Sequence, residues 1–317
     1  MKSGISNLKG SLAIKMEKNL ITICTPTYNR GYIIRQLYHS LRKQHNFNFE
    51  WLVIDDGSCD DTEQIFKDEI IPNKNPFPIR YFKQKNGGKH RAINKAIKEA
   101  HGDLFFIVDS DDYLTEDATE QIFKWVSTLD NSHKWAGVSG LRGRSTNLPI
   151  GNFLDCEYVD AKNTERDYYR LQGDKAEVYF SDVLKQYSYP EFDNENFVTP
   201  EVVWNEIARD GYYIRWFNKI IWICNYLPDG LTNNQEKFIR SPNGFLYWVK
   251  QTKDIFHLNN CHADNAILSY YNAFKLKKSI FSICKDLDIN LISLCRVIIR
   301  MKIPPIIVKI YRLFIRK

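Results

Sequence analysis

No apolar run in the 317 residues reaches the roughly 18 needed to span a bilayer, so nothing in the pattern reads as a transmembrane helix. The seven cysteines are odd in number, scattered, and never spaced Cys-x-x-Cys, which argues against a disulfide framework and against a structural zinc site. A reducing cytosol is the expected compartment. Met1 to Lys18 alternates basic and polar residues without an uninterrupted apolar core and does not read as a signal peptide. Fifteen glycines and eleven prolines are too few for a low-complexity chain, and no repeat at solenoid or propeller periods occurs. What remains is a globular composition, 44% hydrophobic and 26% charged, with material for one large domain or two smaller ones.

Charge is unevenly placed. Lys275 to Lys317 carries eleven Lys and Arg against only Asp286 and Asp288, so this stretch holds +9 of a chain total of +6 and leaves the first 274 residues at −3. The same stretch is apolar over Ile289 to Met301 and Ile306 to Ile315, greasier than a nucleic-acid arm, and no nucleic-acid partner is expected. Ser293, Arg296 and Arg300 recur at helical spacing, and Lys309, Arg312 and Arg316 do so after Pro304-Pro305. Basic stripes on wide apolar helices predict contact with an anionic membrane surface, the alternative being a helical pair packed on the protein itself or on a partner.

The N-terminal half alternates strand and helix. Leu20 to Cys24 is a β-branched run, and Gly31 to Lys43 places Ile33, Ile34, Leu37 and Leu41 at helical period. Strands at Glu50 to Ile54, Ile79 to Phe82 and Leu104 to Val108 alternate with helices at Asp61 to Ile70 and Gly88 to Ala100. Repeated βα units predict a parallel sheet covered by helices, with ligands beyond the carboxyl ends of the strands. The loops there are Thr25-Pro26-Thr27-Tyr28-Asn29-Arg30, Asp55-Asp56-Gly57-Ser58, Asn86-Gly87-Gly88-Lys89-His90 and Asp109-Ser110-Asp111-Asp112. The first lacks Gly-x-Gly-x-x-Gly, and no Gly-x-x-x-x-Gly-Lys-Ser/Thr occurs, so neither a dinucleotide site nor a P-loop is supported. Past Trp125 the pattern loosens, with strands expected near Lys134 to Leu141 and Tyr212 to Ile223.

Asp109, Asp111 and Asp112 follow an apolar strand, and carboxylates gathered there repel one another unless a cation is present; their hard oxygens suit Mg²⁺ or Mn²⁺. Taken alone, such a cluster also fits a solvated helix-entry loop. Asp55-Asp56-Gly57-Ser58 adds acid at a neighbouring strand end, where a carboxylate can accept from a nucleobase imide or a ribose hydroxyl. A turn with an Asp/Ser cap explains Gly57 and Ser58 but not two consecutive acids.

In this order and spacing, from about Leu20 to Val126, the four loops resemble those of the inverting family 2 glycosyltransferases of bacterial surface-polysaccharide type, which have the GT-A fold. The resemblance implies an α/β Rossmann-like mixed sheet with helices on both faces, here followed by C-terminal amphipathic helices. It implies transfer of one hexose or N-acetylhexosamine from a nucleotide-diphosphate sugar, a UDP-sugar being expected, to a glycolipid or polysaccharide acceptor. Thr25, Tyr28 and Asp56 would cradle the nucleoside, with Arg30, Gly88, Lys89 and Ser110 also on the nucleotide sugar; Asp109 would meet the ribose or the metal, and Asp111 the Mn²⁺ or Mg²⁺. Ile93 stands where many members have Arg, which bears on the phosphate-facing role of Lys89 or Arg91. The Gln-x-x-Arg-Trp signature of processive synthases is absent, and Arg215-Trp216 lies in a strand-like run.

The general base is assigned to Glu201, where the family commonly has Glu-Asp and this chain has Val202 in the second place; Glu195 and Asp193 come next. Trp204 could stack on a sugar or sit in the core, His262 is a weak candidate third metal ligand, and Tyr226 to Thr232 reads as a turn near the acceptor. The implied layout is 1–18 extension, 19–130 nucleotide-sugar half, 131–264 acceptor half of the same domain, and 265–317 membrane-associating tail. The expected location is cytoplasmic and peripheral on the inner face of the cell membrane. Competing readings are a Mg²⁺-dependent aspartyl phosphotransferase or phosphatase and a non-catalytic membrane-surface module.

Overall fold

The computed structural model describes residues 16–225 and 236–302, so the expected turn at Tyr226 to Thr232 and the segment Ile306 to Ile315 lie outside the described residues, as do residues 1–15. The chain divides into two compact units, the first formed by Met1–Ser188 with Val203–Pro228 and the second by Tyr189–Val202 with Asp229–Lys317.

The first unit is built on one ten-stranded sheet. β1 (Ile21–Thr27), β2 (Phe49–Asp55), β3 (Ile79–Lys83) and β4 (Leu104–Ile107) come from the alternating N-terminal half, as the periodicity predicts. β5 (Tyr113–Leu114), β6 (Trp135–Ser145), β7 (Leu148–Pro149), β8 (Tyr158–Ala161), β9 (Lys175–Phe180) and β10 (Tyr213–Ile223) complete it in the order β3-β2-β1-β4-β9-β6-β10-β5, with β7 on β6 and β8 on β10. β1, β2, β3 and β4 pair in parallel; β9 enters antiparallel between β4 and β6.

Register decides where the loops go. Thr27 lies opposite Asp55, Asp55 opposite Lys83, and Cys24 opposite both Leu52 and Ile107, so the strands end at one sheet edge. All of β1 and β2 is buried, the behaviour of parallel strands covered on both faces. The covering helices are α1 (Ile34–Leu41), α2 (Thr62–Ile65, continued with a wider turn over Phe66–Ile70), α3 (Lys89–Glu99), α4 (Ala118–Val126) and α5 (Ser181–Leu184). α1 buries Ile34, Leu37, Tyr38 and Leu41 at helical period, and α3 buries Ala92, Ile93, Ala96 and Ile97. At the amino end of the sheet the buried Glu50 carboxylate accepts from Thr22 Oγ1 at 2.7 Å and pairs with Arg80 at 3.3 Å, which compensates its burial.

β9 is not among the expected strands: Ala176, Val178 and Phe180 do alternate with Lys175, Glu177 and Tyr179, but the run is short and charged and lies in the stretch where the pattern loosens. Gly137 on β6 is what admits it: a Cβ there would lie 1.9 Å from the Val178 carbonyl oxygen. Arg215-Trp216 falls inside β10. Trp216 is buried, and Arg215 makes two bonds of 2.7 Å to the Asp160 carboxylate of β8, a structural pair.

In the second unit, α7 (Glu236–Arg240), α8 (Pro242–Phe256), α9 (Cys261–Phe274), α10 (Ile280–Leu287) and α11 (Leu291–Lys302) follow one another, and α6 (Glu201–Arg209) leads the chain back to the first unit. Phe245, Val249, Ile267, Tyr270, Phe274, Ile283, Leu287, Leu294 and Val297 form its core. Asn260, Ser279 and Asn290 accept from the backbone N–H groups of His262, Ser282 and Ser293 at 2.8–3.2 Å and start α9, α10 and α11. The grouping differs from the expected layout: residue 265 falls within α9, and residues from 229 onward group with the C-terminal helices. The described part of the tail is also packed, with Leu294 and Val297 of α11 in the core and Arg300 paired with the buried Asp264 carboxylate, so Arg300 is not part of a free basic stripe.

Arg215→Met removes one partner of a pair whose side chains are 7% and 20% exposed. A urea titration should show unfolding free energy lower by about 3 kcal/mol, the lower end for a broken buried ion pair, and a change below about 0.5 kcal/mol would mean the pair behaves as a solvated one.

Candidate active site at the carboxyl edge of the sheet

The loops after β1, β2 and β3 and the start of α3 are stitched together by carboxylates. Asp55 accepts from Ser58 N at 2.7 Å and from the Tyr81 hydroxyl, and burial followed by this contact pushes the Tyr81 phenol up. Asp56 takes Gln84 Nε2 at 2.8 Å, Gly87 N at 3.0 Å and Gly88 N at 2.7 Å. The two consecutive acids therefore have separate tasks: Asp55 closes its own turn and Asp56 holds the loop that begins α3. Gly57 has φ +82°, and a Cβ there would lie 2.8 Å from Asn86 N, so the same loop also excludes a side chain at this turn. The first loop joins through Asn29, whose N–H donates to Ser58 Oγ and whose Oδ1 accepts from Cys59 N, both at 2.8 Å.

Asp109 sits where β4 ends. Its carboxylate pairs with Lys89 of α3 and lies 3.7 Å from Arg142 of β6. Burial alone would raise it, but the charges of Lys89 and Arg142 outweigh that and hold it below the usual carboxylate range. Asp111 differs: burial and then the Asp109 charge push its carboxyl up. Asp112 is raised to about 6 by burial and by Asp109, although it accepts from Trp222 Nε1 at 2.7 Å and Asn225 N at 2.8 Å. Asp112 thus anchors its loop to β10 and to Asn225, two residues beyond it.

Of the other predicted residues in this unit, Tyr28 is 45% exposed and Ser110 is buried. Arg30 places its charge near Asp109 and Asp111. Thr25 lies in the core, its hydroxyl accepting from Trp51 Nε1 at 2.9 Å. Ile93 is buried in α3, and Trp204 stacks on Tyr179 with ring centroids 4.3 Å apart. Sequence reasoning missed Arg142. Its guanidinium lies 3.6 Å from the Trp222 ring centroid, and its Nε donates to the Lys175 carbonyl at 2.7 Å, so β9 and β10 aim it at Asp109. No motif marks it.

Glu201 and Glu195 belong to the second unit. Glu201 opens α6 and accepts from Trp248 Nε1 at 3.0 Å. Glu195 is buried, with its carboxylate on Asn243 N at 2.9 Å and Gly244 N at 2.8 Å; it caps α8. His262 lies in the first turn of α9, its ring 4.8 Å from that of Phe256.

Residues 22–140, the segment that contains all four loops, match the family model described as Glycosyl transferase family 2. The chain carries a family 2 glycosyltransferase domain. It is 31% identical over 175 residues to the poly(ribitol-phosphate) β-N-acetylglucosaminyltransferase TarS of Staphylococcus aureus, a match covering 52% of this chain and 30% of that protein. It is 35% identical over 209 residues to the abequosyltransferase RfbV of Salmonella typhimurium, covering 62% and 57%. The chain thus spans only about a third to just over half of the curated relatives named here. Among solved structures it is similar to S. aureus TarS 1-349 in complex with UDP-GlcNAc, with TM-score 0.57, 20% identity and coverage of 83% and 77%. It is also similar to the mannosyltransferase PcManGT from Pyrobaculum calidifontis in complex with GDP-Man and Mn²⁺, with TM-score 0.52, 14% identity and coverage of 87% and 73%. These likenesses establish the GT-A fold. The glycosyltransferase match ends at residue 140, within β6, so Arg142 and Glu201 lie beyond it.

If Asp56 holds the loop of the glycosyltransferase domain that opens α3, Asp56→Ala should lower amide-exchange protection at Gly87 and Gly88 by at least about tenfold, since a hydrogen bond to a charged acceptor is worth roughly 1.5–3 kcal/mol. Unchanged protection at both amides would exclude that role.

Proposed function

We propose that this protein transfers a single sugar, with inversion, from a nucleotide-diphosphate donor, a UDP-hexose or UDP-N-acetylhexosamine, to a glycolipid or polysaccharide acceptor. The observation that carries the reading is the gathering of Asp56, Lys89, Asp109 and Asp111 at the sheet edge within the family-matched segment. A lysine at a helix start and a carboxylate group together suit a nucleotide with two phosphates: Lys89 for the phosphate oxygens, carboxylates for hydroxyls and a cation, on a loop whose Gly87 and Gly88 amides are held by Asp56.

The residues fit a divalent metal. Asp111 and Asp109 are hard oxygen donors close enough that the charge of one raises the other, a repulsion that added positive charge relieves. These two would hold Mn²⁺ or Mg²⁺. A bound cation would supply charge to stabilise the departing diphosphate. Arg142 and Lys89 meanwhile keep Asp109 ionised, and the Trp222 and Asn225 contacts of Asp112 hold the loop in place. Glu201 would take the acceptor hydroxyl's proton as that oxygen attacks the anomeric carbon, with Trp248 orienting the carboxylate. Glu195 is the weaker candidate because both of its oxygens cap α8. The acceptor we propose is held at an anionic membrane surface, supported by the +9 charge of Lys275 to Lys317; no helix among the described residues is long and apolar enough to cross a bilayer.

Asp111→Asn should abolish transfer and weaken Mn²⁺-dependent UDP binding while leaving the melting temperature nearly unchanged, because the side chain carries little packing. Wild-type rates in chelator would overturn the metal role.

Glu201→Gln should lower turnover by about a hundredfold to ten-thousandfold with donor Kd nearly intact, the usual size of a general-base contribution. Glu195→Ala should instead lower stability by about 1 kcal/mol or more through the lost helix cap. If Glu195→Ala alone loses turnover at normal stability, the two assignments must be exchanged.

A further inference from the structure

The second unit leaves a set of large apolar side chains outside its own core. α10 buries Ile283, Cys284 and Leu287 and leaves Phe281 70% exposed. α11 buries Leu294 and Val297 and leaves Ile292 and Ile299 65% and 59% exposed. Leu276, in the turn between α9 and α10, is 93% exposed. Each helix thus has one apolar side satisfied by its neighbours and a mixed apolar and basic side, Phe281 and Lys285 on α10 and Ile292, Arg296 and Ile299 on α11, exposed at helical period.

Apart from Asp288, which pairs with Lys250, the exposed charges among these residues have one sign. Lys275 and Lys277 flank Leu276, Lys285 stands one turn after Phe281, and Arg296 stands between Ile292 and Ile299. The nearby acids are already engaged: Asp286 with Lys278 at 2.6 Å and Asp288 with Lys250 at 2.7 Å. A second copy of this chain would bring like charges together across a two-fold contact. Residues 303–317 add four basic residues and no acid, so their own docking on this surface is opposed in the same way. Apolar side chains interleaved with ammonium and guanidinium groups complement an anionic headgroup layer above hydrocarbon.

We propose that the α10–α11 surface bearing Phe281, Ile292 and Ile299, with Leu276 in the preceding turn, is the face that docks on an anionic lipid membrane. This rests on the membrane-held acceptor proposed above and assigns the contact to a folded surface with Lys277, Lys285 and Arg296 as its charges. Arg300 and Lys278 are excluded from it by their ion pairs with Asp264 and Asp286.

The test is co-sedimentation of the full chain with phosphatidylcholine vesicles with and without phosphatidylglycerol, beside hydrolysis of a soluble nucleotide sugar. Wild type should bind the phosphatidylglycerol vesicles, with partial release by salt. Phe281→Ser/Ile299→Ser should lose at least about tenfold in partitioning, as expected when two apolar side chains no longer bury, at an unchanged melting temperature. Lys277→Glu/Lys285→Glu should weaken binding to phosphatidylglycerol vesicles. Wild-type binding by the serine variant would overturn the surface assignment, and loss on deleting residues 303–317 instead would place the contact there and leave the membrane reading intact. Failure of wild type to bind either vesicle would overturn both, and a dimer dispersed by Phe281→Ser would identify a second copy as the occupant. Hydrolysis in each case reads the transferase assignment independently.

Discussion

Carboxylates gathered at the end of a buried parallel sheet repel one another, and in the first unit the acids of this edge other than Asp111 are each compensated in their own way. Lys89 and Arg142 flank Asp109, Trp222 and Asn225 hold Asp112, Tyr81 and Ser58 hold Asp55, and three donors from residues 84–88 hold Asp56. Asp111 is left with its ionisation opposed by burial and by Asp109. This difference between Asp111 and the other acids is what the proposed metal role rests on.

The geometry that gathers these groups is a consequence of strand pairing. The in-register parallel ladder of β1 with β2 and β4 aligns their carboxyl ends, and the same ladder buries both faces of β1 under α1 and α3. The antiparallel β9 then brings β6 and β10 into the sheet, and with them Arg142 and Trp222. Without the close approach at Gly137 this strand could not lie where it does, and Arg142 would lose the Lys175 carbonyl that fixes its direction.

The second unit follows different physics. Its helices pack on one another without a sheet, α9, α10 and α11 are started by side-chain caps, and the whole is held by an aromatic and aliphatic core in which Phe245 and Tyr270 take part. Its charges are divided between internal pairs and an outward face, a division that composition alone cannot express.

The order of strands and helices in the first half, the four loops at strand ends and the family they belong to were legible in the sequence, because period, turn residues and local spacing are properties of neighbouring residues. In the C-terminal stretch the helix expected over Ile289 to Met301 was legible for the same reason and is α11. Which face it buries was not: Arg296 and Arg300 share a helical spacing, yet one is exposed and the other is paired with Asp264, 36 residues earlier in the chain. Arg142, the insertion of β9, the burial of Thr25 against Trp51 and the use of Glu195 as a helix cap were likewise decided only by the tertiary structure. Each depends on a partner distant in sequence, and the energy of a buried charge or hydroxyl is set by what folding places beside it rather than by its neighbours along the chain.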